Sequence, residues 1–275
     1  MKKLFAFALL SLCFYFPLYS QIEPAPDRTE GDGQYGRLIL RGVVLIDGTG
    51  APPIGPVDIV VEKNKIAQIQ VVGYPGLPIS ENRRPKAGPN DKEYDLEGHY
   101  LLPGFIDMHG HIGGRGQGTP AEYVYKLWMA HGITTVRDPS AGNGLSWVLD
   151  QKKRSAANEI TAPRLLAYTG FGQGAKEPII NEAQAKAWVQ SNADKGADGI
   201  KFFGANPEVM QAAISENKRL GLRSAMHHQQ MEVARWNVLN SARAGLTSME
   251  HWYGLPEALF EDRTIQDFRL DYNYQ

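Results

Sequence analysis

The chain has 275 residues, of which 43% are hydrophobic and 21% charged, and its formal net charge is -1 at pH 7. This composition is that of a globular protein with an ample apolar core, and the length allows one large domain or two smaller ones. A net charge near zero, without dense runs of Lys or Arg, gives no electrostatic drive towards nucleic acid or an anionic membrane. Small molecules are therefore the expected partners.

Residues 1–20 have the layout of a secretory signal peptide. Two lysines precede an apolar run that ends at Ser20, so cleavage there would leave Gln21 as the first residue of the mature chain. We therefore expect a periplasmic or secreted protein with no membrane contact after cleavage. A lipoprotein is disfavoured by bulky Leu12 before Cys13, and an uncleaved anchor helix is the other alternative. Because Cys13 is the only cysteine, metal ligands in the mature chain must be N or O donors.

The part of the chain before residue 99 divides into a polar stretch and a β-rich region. Residues 21–36 are rich in Pro, Gly and charged side chains and predict a polar linker. In residues 37–98, Val- and Ile-rich runs separated by turn residues predict a small N-terminal β-domain, similar to a β-sandwich. Within it, residues 74–94 are dense in Pro, Gly, Asn and charge and predict a surface loop.

From residue 99 onward, short apolar strands alternate with helical segments, the pattern of parallel sheets and barrels. Helices are predicted at residues 120–131, 182–195, 207–219 and 230–244. Strands are predicted at residues 101–109, 132–138, 164–170, 198–204, 222–228 and 245–251. These units predict an α/β fold of the (β/α)8 TIM-barrel type, incomplete because a closed barrel needs eight strands and about 250 residues. We therefore expect residues 99–275 to form an open barrel or the front part of a longer one.

Four histidines and one lysine lie at or near the ends of these strands. The run "LLPGFIDMHGHIGG" (101–114) contains His109 and His111, which would face the same side of a strand because side chains alternate. Lys201 lies on the fourth strand, His227 ends the fifth and His251 ends the sixth. Since the active sites of barrel enzymes lie at the C-terminal ends of the strands, these five side chains are expected to converge on one mouth.

Each of these residues also has an ordinary structural interpretation. A histidine at a strand end is more often hydrogen-bonded or exposed than a ligand, although four of them at the ends of three strands are hard to ascribe to coincidence. Lys201 would bury a charge at a cost of several kcal/mol unless it is paired, or its head would reach water. His99 and His131 are interpreted as structural. His228 is the second choice to His227 because it points to the opposite side.

The ordered series of motifs resembles the amidohydrolase superfamily of metal-dependent hydrolases, in particular the secreted or periplasmic branch similar to imidazolonepropionase and prolidase-type enzymes. "DGTGAPPIGPVDIVVEKNKIAQI" resembles the N-terminal β-domain of the family, whose second half is missing here. "LEGHYLLPGFIDMHGH" and "GITTVRD" resemble its first and second strands, and "GADGIKFF" and "SMEHWYG" its fourth and sixth. The resemblance runs from about Arg41 to the end of the chain.

The resemblance implies two divalent metal ions. Zinc is the first expectation, and manganese, cobalt or iron would also suit the ligands. His109 and His111 would hold one ion and His227 and His251 the other, bridged by Lys201 after its carboxylation by CO2. Asp107 would orient the metal ligand His109 without binding the ion itself, or serve only as a hydrogen-bond acceptor at the strand end. The two ions would share a hydroxide that cleaves the C–N bond of an amide, a cyclic amide or a dipeptide.

The sequence departs from the family at one catalytic position, the aspartate that ends the eighth strand. Asp262, Asp267 and Asp271 follow His251 too closely for two further βα units, and we interpret them as solvated loop carboxylates. We therefore expect this chain to be a fragment of the full enzyme, truncated at its C-terminus. A non-catalytic binding protein and a metal-dependent isomerase or decarboxylase on the same fold are the alternatives. The expected partner is a small amide or peptide-like molecule, and a homo-oligomer is left open.

Overall fold

Two β-sheets organise the computed structural model, which describes residues 23–114, 118–229, 232–233 and 235–260. The signal peptide predicted for residues 1–20 lies outside these described residues, and so do Asp262, Asp267 and Asp271. Within the described ranges, no helix combines the length and the apolar character needed to cross a membrane.

The first sheet is mixed and contains five strands. They are β1 (Arg37–Leu45), β2 (Ile54–Glu62), β3 (Lys65–Val71), β4 (Lys92–Asp95) and β5 (Tyr100–Leu101). β1 is antiparallel to β2 but parallel to β4 and β5, and β3 pairs with the far side of β2. Val43, Val57 and Ile59 form its buried core. β4 occupies the end of the predicted loop 74–94, because pairing with the distant β1 overrides the polar character of its sequence.

The second sheet is parallel and has six strands in sequential order, which confirms the predicted barrel-type α/β architecture. Its strands are β6 (Phe105–Asp107), β7 (Ile133–Asp138), β8 (Arg164–Gly170), β9 (Gly199–Phe202), β10 (Arg223–His227) and β11 (Ser248–Glu250). The helices that follow β6 to β10 are α1 (Ala121–Ala130), α2 (Leu145–Ala156), α3 (Glu182–Asp194), α4 (Pro207–Arg219) and α5 (Val238–Ala244). Each βα unit therefore returns the chain to the same end of the sheet.

The helices follow from apolar spacing and from their caps. In α4, Val209, Met210, Ala213 and Ile214 recur at helical spacing. They belong to one apolar cluster with residues of β9 and β10, and every residue of β9 is buried. Asn237 caps α5 by accepting from the backbone N–H groups of its first turn. α5 is shorter than the predicted helix 230–244, since it begins only after this cap.

The predicted strand 101–109 is divided between the two sheets. Residues up to Leu101 form β5 and pair with β1, whereas Phe105–Asp107 form β6 and pair with β7. The break falls at Pro103 and Gly104, since proline cannot donate to a β-ladder. The first sheet therefore extends past the predicted domain boundary at residue 98. His109 and His111 lie beyond the end of β6 rather than on a strand.

The six-stranded sheet curls so that its two edge strands face each other. In a flat sheet, β6 and β11 would lie roughly 24 Å apart, because neighbouring strands are about 4.8 Å apart. Instead, the rings of His109, just beyond β6, and His251, just beyond β11, have centroids 5.0 Å apart. The C-terminal ends of the strands therefore surround one shared mouth.

Residues 23–36, predicted to be a polar linker, form no helix or strand but pack on α2. Ala25 is 3% exposed and lies in the same apolar cluster as Val148 of α2. Its backbone N–H donates to Gln151 Oε1 at 3.1 Å, and its carbonyl accepts from Arg154 Nη1 at 2.7 Å. This segment is therefore attached to the barrel rather than being a free linker. The sequence pattern did not predict this, because the contact depends on one small apolar residue, Ala25, packing against α2.

Candidate metal centre

Four imidazoles meet at the mouth of the curled sheet. The ring centroids of His109 and His111 are 5.2 Å apart, and those of His227 and His251 are 4.9 Å apart. His109 and His251 join the two pairs. Lys201 lies on β9, where it pairs with Ala225 of β10 in the strand register, two residues before His227. The structure thus brings together the side chains that the sequence placed at separate strand ends.

The loop after β6 is held by backbone hydrogen bonds that fix where the first two histidines lie. The N–H of His109 donates to Asp107 Oδ1 at 2.9 Å, and the N–H of Gly110 donates to the carbonyl of Arg137 at 3.0 Å. A side chain at Gly110 would collide with Val136, whose Cγ1 lies 2.6 Å from an ideal Cβ position. Asp107 therefore shapes the turn that carries His109, and glycine is required where that turn touches β7.

His251 has an unusual backbone conformation. Its φ is +62°, in the left-handed region that side chains other than glycine rarely adopt. Such strain costs of order 1 kcal/mol or more and is concentrated at functional sites. The turn that directly follows β11 thereby directs this ring towards His109 and His227.

Three of the four histidines at the mouth, His111, His227 and His251, have a lowered pKa that favours the neutral ring. Burial, with added repulsion from His251, Lys201 and His109, lowers the pKa of His227 to about 4. Burial likewise lowers the pKa of His111 and His251 below the ordinary value, and the neighbouring cations act in the same direction. A neutral imidazole keeps a lone pair on one ring nitrogen, which is the form that binds a metal ion.

Lys201 is almost completely enclosed, with 2% of its surface exposed. Burial lowers its pKa from 10.5 to about 8, although the charge of Glu250 acts in the opposite direction. Its Nζ lies 5.6 Å from the ring centroid of Phe203. The head of this lysine therefore does not reach bulk water, which removes the ordinary structural interpretation of a snorkelling side chain.

Two charged residues that sequence reasoning missed lie directly behind the mouth. Glu250 is 5% exposed and its Oε2 lies 2.5 Å from Nδ1 of His109. Arg137 is 2% exposed and donates from Nη2 to Glu250 Oε1 at 2.5 Å. The available signal was the presence of charged residues inside the short buried strands "TTVRD" and "SMEH".

A further missed carboxylate, Asp138, lies beside His111, which is in the loop after β6. Its Oδ1 is 3.9 Å from Nδ1 of His111, too long for a direct hydrogen bond. Burial raises its pKa to about 6, while backbone hydrogen bonds from Ser140 and Ala141 act against the rise. His109 and His111 thus each have a carboxylate on the Nδ1 side of the ring.

The remaining histidines lie away from this cluster of rings. His228 is fully buried, and its Nε2 lies 2.8 Å from Ser241 Oγ on α5. His131 caps the end of α1, with its Nδ1 2.8 Å from the carbonyl of Leu127. His99 lies in the turn before β5.

The donor chemistry at the mouth fits a divalent metal ion. Neutral imidazoles suit zinc and the other first-row metals. Because Glu250 contacts Nδ1 of His109, the Nε2 of that ring is left for an ion, as is common for metal-binding histidines. No three His, Cys, Asp or Glu side chains among the described residues are already grouped as a finished coordination sphere. The rings would have to draw together around an ion.

Comparison of the sequence with curated proteins finds relatives that share one name. Three curated proteins are called adenine deaminase. That of Bacillus velezensis (strain DSM 23117 / BGSC 10A6 / LMG 26770 / FZB42) is 39% identical over 168 residues, covering 57% of this chain and 28% of the relative. That of Bacillus subtilis (strain 168) is 33% identical over 112 residues, covering 37% of this chain and 19% of the relative. The matched part thus spans less than a third of the length of these relatives. No family model matches the sequence.

Solved structures share the fold. A Xaa-Pro dipeptidase with bound methionine in its active site has a TM-score of 0.59 at 22% identity, with 78% of this chain and 61% of that chain covered. A protein described as an amidohydrolase has a TM-score of 0.58 at 17% identity, with 78% and 60% covered. Molinate hydrolase has a TM-score of 0.55 at 17% identity, with 74% and 57% covered.

The fold and the mouth together define a barrel protein of the α/β class with a histidine-rich centre at the C-terminal ends of its strands. By sequence the chain is similar to proteins called adenine deaminase, and by fold it is similar to solved structures of an amidohydrolase and a Xaa-Pro dipeptidase.

Proposed function

We propose that the protein is a metal-dependent hydrolase of a C–N bond in a small molecule. The observation that carries this proposal is the convergence of four imidazoles from three strand ends, with neighbouring ring centroids 4.9 to 5.2 Å apart. Chance placement rarely gives such a cluster. The names of the sequence relatives and structural neighbours, deaminases and hydrolases, support the same reaction class.

The proposed ligands are the side chains that the sequence predicted. His109 and His111 would hold one ion, and His227 and His251 a second one. A bound ion would supply an activated water molecule and polarise the group that is attacked. In the overall reaction, the oxygen of water adds to the substrate carbon, the C–N bond breaks, and the nitrogen leaves after gaining a proton.

Lys201 is proposed to bridge the two ions after carboxylation. Burial lowers its pKa to about 8, so that more of it is the neutral amine, which is the form that adds to CO2. A bond forms between Nζ and the carbon of CO2, and Nζ releases a proton. The product is an anionic oxygen ligand instead of a buried cation. A carbamate ¹³C NMR signal from ¹³C-bicarbonate that disappears in Lys201→Met would support this assignment, and an unchanged signal would refute it.

The comparisons indicate which compounds to test first as substrates. Because the sequence relatives are called adenine deaminase, an amino-substituted heterocycle such as adenine is the first compound to test. The dipeptidase and prolidase neighbours share only the fold, and Xaa-Pro dipeptides are the second group to test.

We propose export from the cytoplasm through cleavage after Ser20, which N-terminal sequencing of the secreted protein would test.

Metal content and hydrolysis are the decisive measurements. The chain is purified without added metal, and its zinc, manganese, cobalt and iron are counted by plasma mass spectrometry. We expect about two ions in the wild type, fewer in His109→Ala and His251→Ala, and no change in His131→Ala, which alters a histidine outside the cluster. Ammonia release from adenine and proline release from dipeptides are then followed with and without chelator. Absence of stoichiometric metal in the folded wild type would overturn the proposal.

A further inference from the structure

Arg137 ties three strands of the barrel together from inside the sheet. It lies on β7, and its Nε donates to the carbonyl of Met108, just beyond β6, at 2.5 Å. Its Nη1 donates to Ser248 Oγ of β11 at 2.8 Å, and its Nη2 donates to Glu250 Oε1. The planar guanidinium thus uses its separate donors in three directions, which a lysine could not reproduce.

Glu250 connects this arginine to the metal centre. Its Oε1 accepts from Arg137 Nη2 and from Ser248 Oγ, the latter at 2.9 Å, while its Oε2 contacts Nδ1 of His109. The contact with Arg137 is buried, and the contacts with Ser248 and His109 are partly buried. Arg137 is always charged and forms a buried ion pair with Glu250 Oε1, so the carboxylate is ionised.

The state of Glu250 fixes the protonation of the ring that it contacts. An ionised carboxylate can only accept hydrogen bonds. The proton of a neutral His109 must therefore be on Nδ1, facing Glu250, and the lone pair on Nε2. The same hydrogen bond restricts rotation of the ring.

We infer that Glu250, held in place by Arg137, is the positioning residue that sets the tautomer and orientation of His109 for metal binding. The inference rests on the proposed metal centre, but the tautomer that it assigns exists in the metal-free chain as well. It also explains why an arginine and a glutamate are buried in two strands that the sequence pattern alone would make apolar.

The first experiment reads the tautomer directly. Long-range ¹H–¹⁵N NMR of the metal-free wild type identifies which nitrogen of His109 carries the proton, and His109→Gln assigns its signals. We expect the proton on Nδ1. In Glu250→Gln, the single amide oxygen cannot serve both Arg137 and His109, so the tautomer should change or become mixed. A proton on Nε2 in the wild type would overturn the inference without any other variant being needed.

The second experiment measures metal affinity with Co²⁺, whose visible spectrum reports its ligands. Glu250→Gln should weaken Co²⁺ binding about 10- to 100-fold and change the spectrum. The matched control is Asp58→Asn, which breaks another buried ion pair, with Arg41 in the first sheet. It should lower the melting temperature but leave affinity and spectrum unchanged. Arg137→Lys keeps the positive charge but loses the several donors of the planar guanidinium. Its affinity for Co²⁺ should lie between those of the wild type and Glu250→Gln.

The outcomes separate this inference from the proposed function. Equal affinity in Glu250→Gln and wild type, or an equal loss in Asp58→Asn, would refute the positioning role. If the wild type binds no Co²⁺, the metal centre itself is refuted, while the NMR result still decides whether Glu250 sets the tautomer of His109. If Glu250→Gln does not fold, the wild-type tautomer and the Arg137→Lys affinity remain decisive.

Discussion

Replacement of Lys201 by methionine should make the metal-free protein more stable. The side chain is 2% exposed, and burial lowers its pKa to about 8 in the folded chain, against 10.5 in the unfolded chain. Each unit of this difference corresponds to about 1.4 kcal/mol. At pH 7 the folded protein therefore bears a cost of about 3 kcal/mol for keeping this cation. Methionine has a similar volume and no charge, so the unfolding free energy of Lys201→Met should exceed that of the wild type by about 3 kcal/mol at pH 7.

The pH dependence provides a sharper test than the increment itself. Below pH 8 the lysine is protonated in both states, and the cost is present in full. Between pH 8 and 10.5 the folded chain has released the proton while the unfolded chain keeps it, so the stability of the wild type rises with pH. The advantage of Lys201→Met should therefore fall from about 3 kcal/mol at pH 7 to about 2 kcal/mol at pH 9.

Urea denaturation at the two pH values measures this difference. The buffers contain chelator and are freed of CO2, so that neither metal nor carbamate contributes. Lys186→Met, on the exposed side of α3, is the control for removing a lysine, and it should give no pH-dependent difference from the wild type. A variant that is less stable than the wild type at pH 7, or an advantage that stays constant with pH, would refute the assignment of Lys201 as a costly buried cation.

Three further predictions concern the scaffold of the site. Gly199→Ala should lower the unfolding free energy in urea by about 3 kcal/mol or more, because its Cβ would lie 2.4 Å from a backbone oxygen of β10. Gly36→Ala, where a Cβ meets open space, should change it by no more than about 0.5 kcal/mol. Similar losses in the two variants would refute this steric argument. Asn237→Ala removes the cap of α5 and should lower the unfolding free energy by about 1 kcal/mol, and no loss would mean that the cap is not needed. Arg154→Ala should speed limited proteolysis within residues 23–36 relative to Lys153→Ala, and equal rates would show that α2 does not hold this segment.

Much of the barrel could be predicted from local sequence patterns. The strand predicted at residues 164–170 has the same bounds as β8, and the helix predicted at 207–219 has those of α4. In both, the periodicity of apolar residues and the flanking breakers agree with the tertiary environment. The first strand was mispredicted because its apolar character continues through Pro103, where the chain passes from one sheet to the other.

The convergence of the five predicted side chains on the mouth could be predicted from their positions at or near strand ends, since parallel strands in successive βα units bring those ends to one edge. Their supporting residues could not be predicted in this way. Arg137 and Glu250 are 113 residues apart in the chain, and no local pattern relates them. Only the curl of the sheet places β7 opposite β11, so that a guanidinium on one strand meets a carboxylate on the other.

The sequence by itself thus determined the order of strands and helices and the residue types that would reach the mouth, because both depend on spacing along the chain. The tertiary structure decided which charges face each other across the barrel, how deeply Lys201 is enclosed, and that residues 23–36 pack on α2. These features depend on contacts between distant segments, which form only when the curled sheet brings those segments within a few ångströms.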